Sequence, residues 1–244
     1  LDFYFSFLLA QMRSKIKSLI SLIRLAGLAV AALAMWGFAT IAEEIWAKET
    51  FAFDTSILLA LWSLHTPLRD RIMFGFTCLG EPNLLLAICL SLGLVLLARK
   101  HRSEAATIAL AGVGAIGLNI FLKKLFARDR PQLWERVVDV RFYSFPSGHA
   151  MISMVIYGLL GYFLASRFPR QKWWIYSLTV VLIAGIGFSR LYLGVHWPTD
   201  IVAGYTAGLV WLIACILSLE VWKEFSSFSV TSEEEFLSPD STQE

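Results

Sequence analysis

A series of apolar runs, each long enough to cross a bilayer and each ended by a short polar or basic segment, restricts this chain more than any other feature. A hydrocarbon core about 30 Å thick needs about 20 mainly apolar helical residues. Helices meet that need because they satisfy their own backbone hydrogen bonds where water is absent. This ruler picks out spans near residues 19–41, 83–97, 104–121, 150–165, 173–188 and 201–222. The second and fourth fall short of it and are expected to extend into flanking residues such as 77–82. The hydrophobic fraction of 57% agrees, since soluble domains hold about 45–50% apolar residues. The expected fold class is all-α, a polytopic membrane helix bundle with about six transmembrane helices. Residues 51–80 mix Ile57, Leu58 and Leu61 with Asp54, His65, Arg69, Asp70 and Arg71. A short interfacial helical segment between the first two spans is therefore expected.

Three divisions follow from these boundaries. Residues 1–18 form an N-terminal cytoplasmic lead-in, 19–222 the transmembrane domain, and 223–244 an acidic, Ser-rich cytoplasmic tail too poor in apolar residues to order itself. The run at 19–41 exceeds the about 7–15 residues of a signal-peptide core, so a retained anchor is expected. Cys78, Cys89 and Cys215 lie in apolar stretches without metal or redox spacing and are read as small core hydrophobes. A net charge of +2 is by itself too small to imply a nucleic-acid partner, whose footprint needs basic residues clustered on one accessible surface.

Basic residues beside spans are retained on the cytoplasmic side. Arg13, Lys15 and Lys17 put the N-terminus inside, and six crossings then bring the loops around Arg99–Arg102 and Arg167–Lys172 inside as well. The loop at 122–148 faces out yet carries Lys123, Lys124, Arg128, Arg130, Arg136 and Arg141. Anion binding explains an outer loop this basic. Arg136 and Arg141 are read as headgroup contacts, and Arg128 and Asp129 are assigned no role.

Three polar clusters interrupt the apolar runs at that outer side: Lys123 through Arg130-Pro131, then Pro146-Ser147-Gly148-His149, then Ser189-Arg190 through His196 to Asp200. Ionisable residues at membrane depth are costly and point to function when they converge. Lys123, Arg130 and Arg190 are obligate donors suited to phosphate oxygens. Ser147 and Gly148 begin a helix, whose free N–H groups add donors. A neutral imidazole at His196 can attack phosphorus while Asp200, one turn on, orients it. His149, in another loop, can protonate the departing oxygen from the opposite side.

The pattern Lys-x6-Arg-Pro, Pro-Ser-Gly-His and Ser-Arg-x5-His-x3-Asp resembles the type 2 phosphatidic acid phosphatase superfamily, with all three motifs complete between Lys123 and Asp200. The resemblance implies Lys123, Arg130, Ser147, Gly148 and Arg190 as phosphate ligands, His196 as nucleophile, His149 as general acid and Asp200 as orienter. It also implies a reaction without metal or other cofactor, through a phosphohistidine. The six-span layout is similar to that of the small bacterial members. The expected function is hydrolysis of a lipid phosphomonoester or diphosphate (phosphatidic acid, phosphatidylglycerophosphate or undecaprenyl diphosphate) in the cell membrane, with membrane lipids and the substrate as partners and no obligate protein partner. A lipid phosphotransferase of the same superfamily and an anion transporter are the competing expectations.

Overall fold

A computed structural model describes residues 2–47, 52–134 and 142–237, with side chains described for 22–47, 52–134 and 142–224. Arg136 and Arg141 lie outside the described residues. The described chain is helical: α1 (Asp2–Trp46), α2 (Ala52–Trp62), α3 (Pro67–Leu79), α4 (Pro82–Ala98), α5 (Arg102–Phe126), α6 (Gly148–Arg167), α7 (Lys172–Tyr192) and α8 (Pro198–Leu237), with a short 3-10 turn at Pro169–Gln171.

Five helical segments are long and apolar enough to cross a bilayer: Leu22–Trp46 within α1, then α5, α6, α7 with its leading turn, and Pro198–Glu224 within α8. The sixth span is a pair, α3 and α4, bent by 45° at Gly80–Glu81. The bend has a local cause. Pro82 has no N–H for the helical ladder and disfavours helical backbone at Glu81, so the polar residues before it belong to a separate helix. The segment expected at the interface is accordingly two helices, α2 and the first part of the bent pair. Thr66 caps α3 by accepting a hydrogen bond from the Arg69 backbone N–H at 3.3 Å, with Pro67 in the first turn.

The outward faces are those of a protein in lipid. Leu22, Leu25, Leu28, Leu33 and Trp36 of α1 are each more than half exposed, as are Val113 and Phe121 of α5 and Leu178, Val180 and Val181 of α7. Water would penalise a continuous apolar surface of this extent, whereas hydrocarbon matches it. Cys89 and Cys215 are buried as expected, but Cys78 lies exposed on α3. His65 stacks on Tyr192 with ring centroids 4.1 Å apart and pairs with Asp70 at 3.1 Å, tying the α2–α3 junction to the end of α7.

α6 is the central helix, packed against α5, α7 and α8, and Ile152, Val155, Ile156 and Leu159 are its core-facing residues. It approaches α8 through Gly204 and Gly208, spaced four apart, as small residues are in closely packed membrane helices. A Cβ on Gly204 would stand 2.8 Å from the Ser147 carbonyl oxygen, and one on Gly208 2.7 Å from that of Met151. Both obstacles are backbone, so neither can rotate aside. The start of α6 is thereby held against the start of α8.

α8 runs on as helix to Leu237, into the stretch whose composition suggests disorder. Extending an existing helix avoids the nucleation cost that an isolated polar segment faces. Residues 238–244 lie outside the described residues.

The packing makes a direct prediction. Gly208→Val overpacks a backbone contact, for which about 1–3 kcal/mol is typical, so the melting temperature in detergent should fall. Gly117→Ala, where an added Cβ meets nothing within 4 Å, should leave it unchanged or raise it. An unchanged midpoint for Gly208→Val would contradict the close α6–α8 approach.

Candidate active site

The end of α5, the start of α6, the end of α7 and the start of α8 meet at one end of the bundle, where residues 193–197 join α7 to α8 and the longer connection 127–147 joins α5 to α6. α5 closes at Ala127, whose backbone is left-handed (φ 44°) and whose N–H returns to the Lys123 carbonyl. The chain then doubles back, so that Arg128 and Arg130 lie over the helix ends. α7 closes through Gly194 at φ 65°. That is a conformation glycine adopts without strain, and Trp134 fills the space where a Cβ would stand. This turn presents His196 immediately before α8.

Asp200, in the first turn of α8, accepts a hydrogen bond at Oδ2 from the Trp197 backbone N–H at 2.9 Å. The same oxygen lies 3.2 Å from Nδ1 of His196. Nε2 of that ring lies 3.2 Å from Nη1 of Arg130. A guanidinium only donates, so this contact requires an acceptor lone pair on Nε2. Two neighbours therefore select one tautomer, with the proton on Nδ1 and the nucleophilic pair on Nε2. Burial, and then the charges of Arg130, Lys123 and Arg190, hold the His196 ring well below the ordinary histidine pKa. The imidazole is neutral and aimed at the cations.

Those cations are held in place by oxygens. Arg130 donates from Nη1 to the Val195 carbonyl at 2.6 Å and from Nε to the Phe142 carbonyl at 2.7 Å. Lys123 Nζ donates to the carbonyls of Tyr143 at 2.5 Å and Ser144 at 3.3 Å. Arg190 is 3% exposed and donates from Nη1 to Thr77 Oγ1 on α3 at 2.6 Å. Its Nε is buried with no hydrogen-bond partner.

Ser147 caps α6, its Oγ accepting from the Ala150 N–H at 3.5 Å, while its own N–H donates to the Asp200 carbonyl at 3.0 Å. Gly148 follows as the first helical residue. The space its missing Cβ leaves is taken by Asn119, whose Oδ1 would be 2.9 Å from that atom. The close approach that glycine permits there is to Asn119. His149 comes next, and Arg190, His196, Arg130 and Lys123 are all near enough to act on its ring electrostatically. Its Nε2 is buried without a hydrogen-bond partner, with Glu81 Oε2 at 3.5 Å. The eight residues singled out in the sequence thus gather at one place, and two buried atoms there, Arg190 Nε and His149 Nε2, lack a hydrogen-bond partner. Unpaired buried polar atoms are uncommon enough to require an explanation, and a ligand oxygen supplies one.

Several participants carry no motif. Thr77 and Glu81 reach the site from the α3–α4 bend. Arg128 bridges Asp200 and Asp54, with Thr199 between them. Asp129 takes part through its backbone carbonyl, which accepts from Trp197 Nε1 at 3.0 Å and Ser144 Oγ at 3.1 Å. The available signal was a carboxylate, Asp54, in the first turn of an otherwise apolar helix.

Known proteins resemble this chain in sequence and in fold. The PAP2 superfamily profile matches residues 104–223. Phosphatidylglycerophosphatase B of Bacillus subtilis is 31% identical over 177 residues, covering 71% of this chain and 86% of that protein. Undecaprenyl-diphosphatase of Sulfolobus acidocaldarius is 34% identical over 123 residues, 47% of this chain and 55% of its own length. The crystal structure of the transmembrane PAP2-type phosphatidylglycerolphosphate phosphatase from Bacillus subtilis superimposes with a TM-score of 0.69 at 28% identity, covering 80% of this chain and 96% of that one. Aquifex aeolicus LpxE gives a TM-score of 0.55 at 25% identity, over 70% and 96% respectively. With the helices, the motif order and these relatives in agreement, the chain belongs to the PAP2 superfamily.

Proposed function

We propose that this protein is an integral-membrane lipid phosphatase that cleaves a phosphomonoester or diphosphate headgroup through a phosphohistidine on His196. The observation that carries the reading is a neutral, tautomer-locked imidazole at His196 facing Lys123, Arg130 and Arg190, with unpaired buried atoms on Arg190 and His149. A phosphate dianion satisfies every element of that description. Its oxygens would take the donors of Lys123, Arg130 and Arg190, together with N–H groups at the start of α6, replacing mutual repulsion among the cations by charge-assisted hydrogen bonds.

In the first step Nε2 of His196 attacks phosphorus and the P–N bond forms as the bond to the leaving oxygen breaks. Protonated His149 gives its Nε2 proton to that oxygen. In the second step a water oxygen attacks phosphorus while His149, now neutral, accepts a proton from it, and the P–N bond breaks to release inorganic phosphate. Asp200 stabilises the cation that develops on His196 and holds Nδ1–H throughout, as the carboxylate does in a Ser-His-Asp triad. Phosphatases of the superfamily need no metal, and in these steps the three basic side chains supply the charge stabilisation.

Relatives act, by their names, on phosphatidylglycerophosphate, undecaprenyl diphosphate and lipid A phosphate. A site at a span end, level with headgroups, suits any phosphate whose hydrophobic part stays in the bilayer. We place it on the outer, extracytoplasmic face of the cell membrane with both termini cytoplasmic, because the basic loops at 99–102 and 167–172 lie at the opposite end.

Three outcomes are expected. His196→Ala should lower phosphate release from phosphatidic acid by at least about 10³-fold. His149→Ala should lose less on p-nitrophenyl phosphate, whose leaving group needs no proton, than on the lipid. Near-normal turnover in His196→Ala would refute the nucleophile assignment. In ¹⁵N spectra of the ligand-free protein, the lowered pKa of His196 means that its ring stays neutral as pH falls through about 6.5, the ordinary midpoint. Protonation of His196 at or above that pH would contradict the arrangement of charges described.

A further inference from the structure

Asp54 lies outside the superfamily-matched region and outside all three motifs, yet it is one of two carboxylates buried around the nucleophile, with 1% exposure against 0% for Asp200. Ionised carboxylates at such depth must be paired, and both are paired by Arg128. Its Nη1 donates to Asp200 Oδ1 at 2.7 Å and its Nη2 to Asp54 Oδ2 at 2.9 Å. Thr199 locks the joint. Its N–H donates to Asp54 Oδ1 at 3.0 Å and its hydroxyl to Asp54 Oδ2 at 2.6 Å, while that hydroxyl oxygen accepts from Arg128 Nη1 at 2.7 Å. The guanidinium also lies over the Trp197 ring, 5.5 Å from its centroid. All four carboxylate oxygens are engaged, leaving Asp200 Oδ2 for His196 and the Trp197 N–H.

The charges in this cluster do not cancel. Two carboxylates and one guanidinium sum to a single negative charge beside the imidazole. On its other side His196 faces Arg130, Lys123 and Arg190, which oppose the cation that forms when Nε2 bonds to phosphorus. Were Arg128 held by Asp200 alone, that pair would be neutral and the opposing cations would meet no counter-charge. We propose that Arg128 and Asp54 are positioning residues for His196, and that Asp54, by sharing the Arg128 guanidinium, leaves the negative charge of Asp200 available to the developing imidazolium. This inference rests on the reading of His196 as nucleophile, and it makes α2 a working part of the site.

The test uses the full chain in detergent, with Asp54→Asn, Arg128→Gln and the double variant, measuring phosphate release from dioleoyl phosphatidic acid and the ¹⁵N tautomer of His196 without substrate. Asp54→Asn brings the cluster to zero charge, and kcat should fall about 10–100-fold, the range typical of groups that orient a reacting ligand, with KM changed by less than about twofold. The double variant restores a single negative charge on Asp200 and should recover at least about fivefold of the lost kcat, a non-additivity of the kind double-mutant cycles detect. In Arg128→Gln the His196 signal should change from one Nδ1–H tautomer to a mixture. A purely structural clamp predicts instead that the double variant is no better than the worse single variant and that kcat falls in step with melting temperature; that result overturns the proposal. So does a His196 tautomer unchanged in Arg128→Gln, which can be read even if no lipid phosphate is hydrolysed. Inactivity of the unmodified protein on every lipid phosphate would count against the phosphatase reading alone.

Discussion

Lys123, Arg130 and Arg190 bring like charges together at one end of the bundle, and most of the local structure answers the cost of keeping them there. Like charges in a low-dielectric interior repel strongly, so each is held by oxygens that the fold brings to it. Lys123 and Arg130 share the carbonyls of residues 142–144, Arg130 also takes Val195, and Arg190 takes Thr77 from the bend between α3 and α4. Neutral carbonyls and hydroxyls offset part of the repulsion without cancelling the charge. What is left is a cluster of positive charge that an anion would complete, and Arg190 Nε, buried without a hydrogen-bond partner, marks one of the places it would occupy.

The same field decides the state of the nucleophile. A histidine beside three cations loses its proton readily, which gives a free lone pair but also opposes the positive charge that phosphorylation creates on the ring. In the proposed reaction a bound phosphate would cancel the first effect, and the acid cluster behind His196 would offset the second. Asp200 by itself would do this poorly if its charge were fully neutralised by Arg128. On the proposed mechanism, the sharing of that guanidinium with Asp54 would link the stability of a buried ion network to the energetics of P–N bond formation. α2 joins the catalytic end of the bundle through one carboxylate.

The fold class was legible because the bilayer imposes a length on every span, and the central residues because charges stand out against the apolar sequence at span ends. Ser147, His149, Arg190, His196 and Asp200 sit at helix termini whose positions follow from the apolar boundaries. The Arg128–Asp54 connection was not legible, since the two residues are 74 apart in sequence. Nothing in either segment names the other; only packing selects which of several charged residues pair. The α3–α4 bend was written locally in Gly80-Glu81-Pro82, but a span ruler averages over such a break. The helical course of α8 beyond Trp222 shows the opposite failure, in which composition alone misses the momentum of an existing helix.

The central claim is that His196 forms a covalent bond to phosphorus while His149 serves the leaving group. It is tested most directly by quenching the protein in alkali during turnover of ³²P-labelled phosphatidic acid and mapping the label by mass spectrometry. An alkali-stable, acid-labile phosphoramidate is expected on the peptide containing His196, absent from His196→Ala. Label on His149, or steady turnover with no labelled peptide at any quench time, would contradict it.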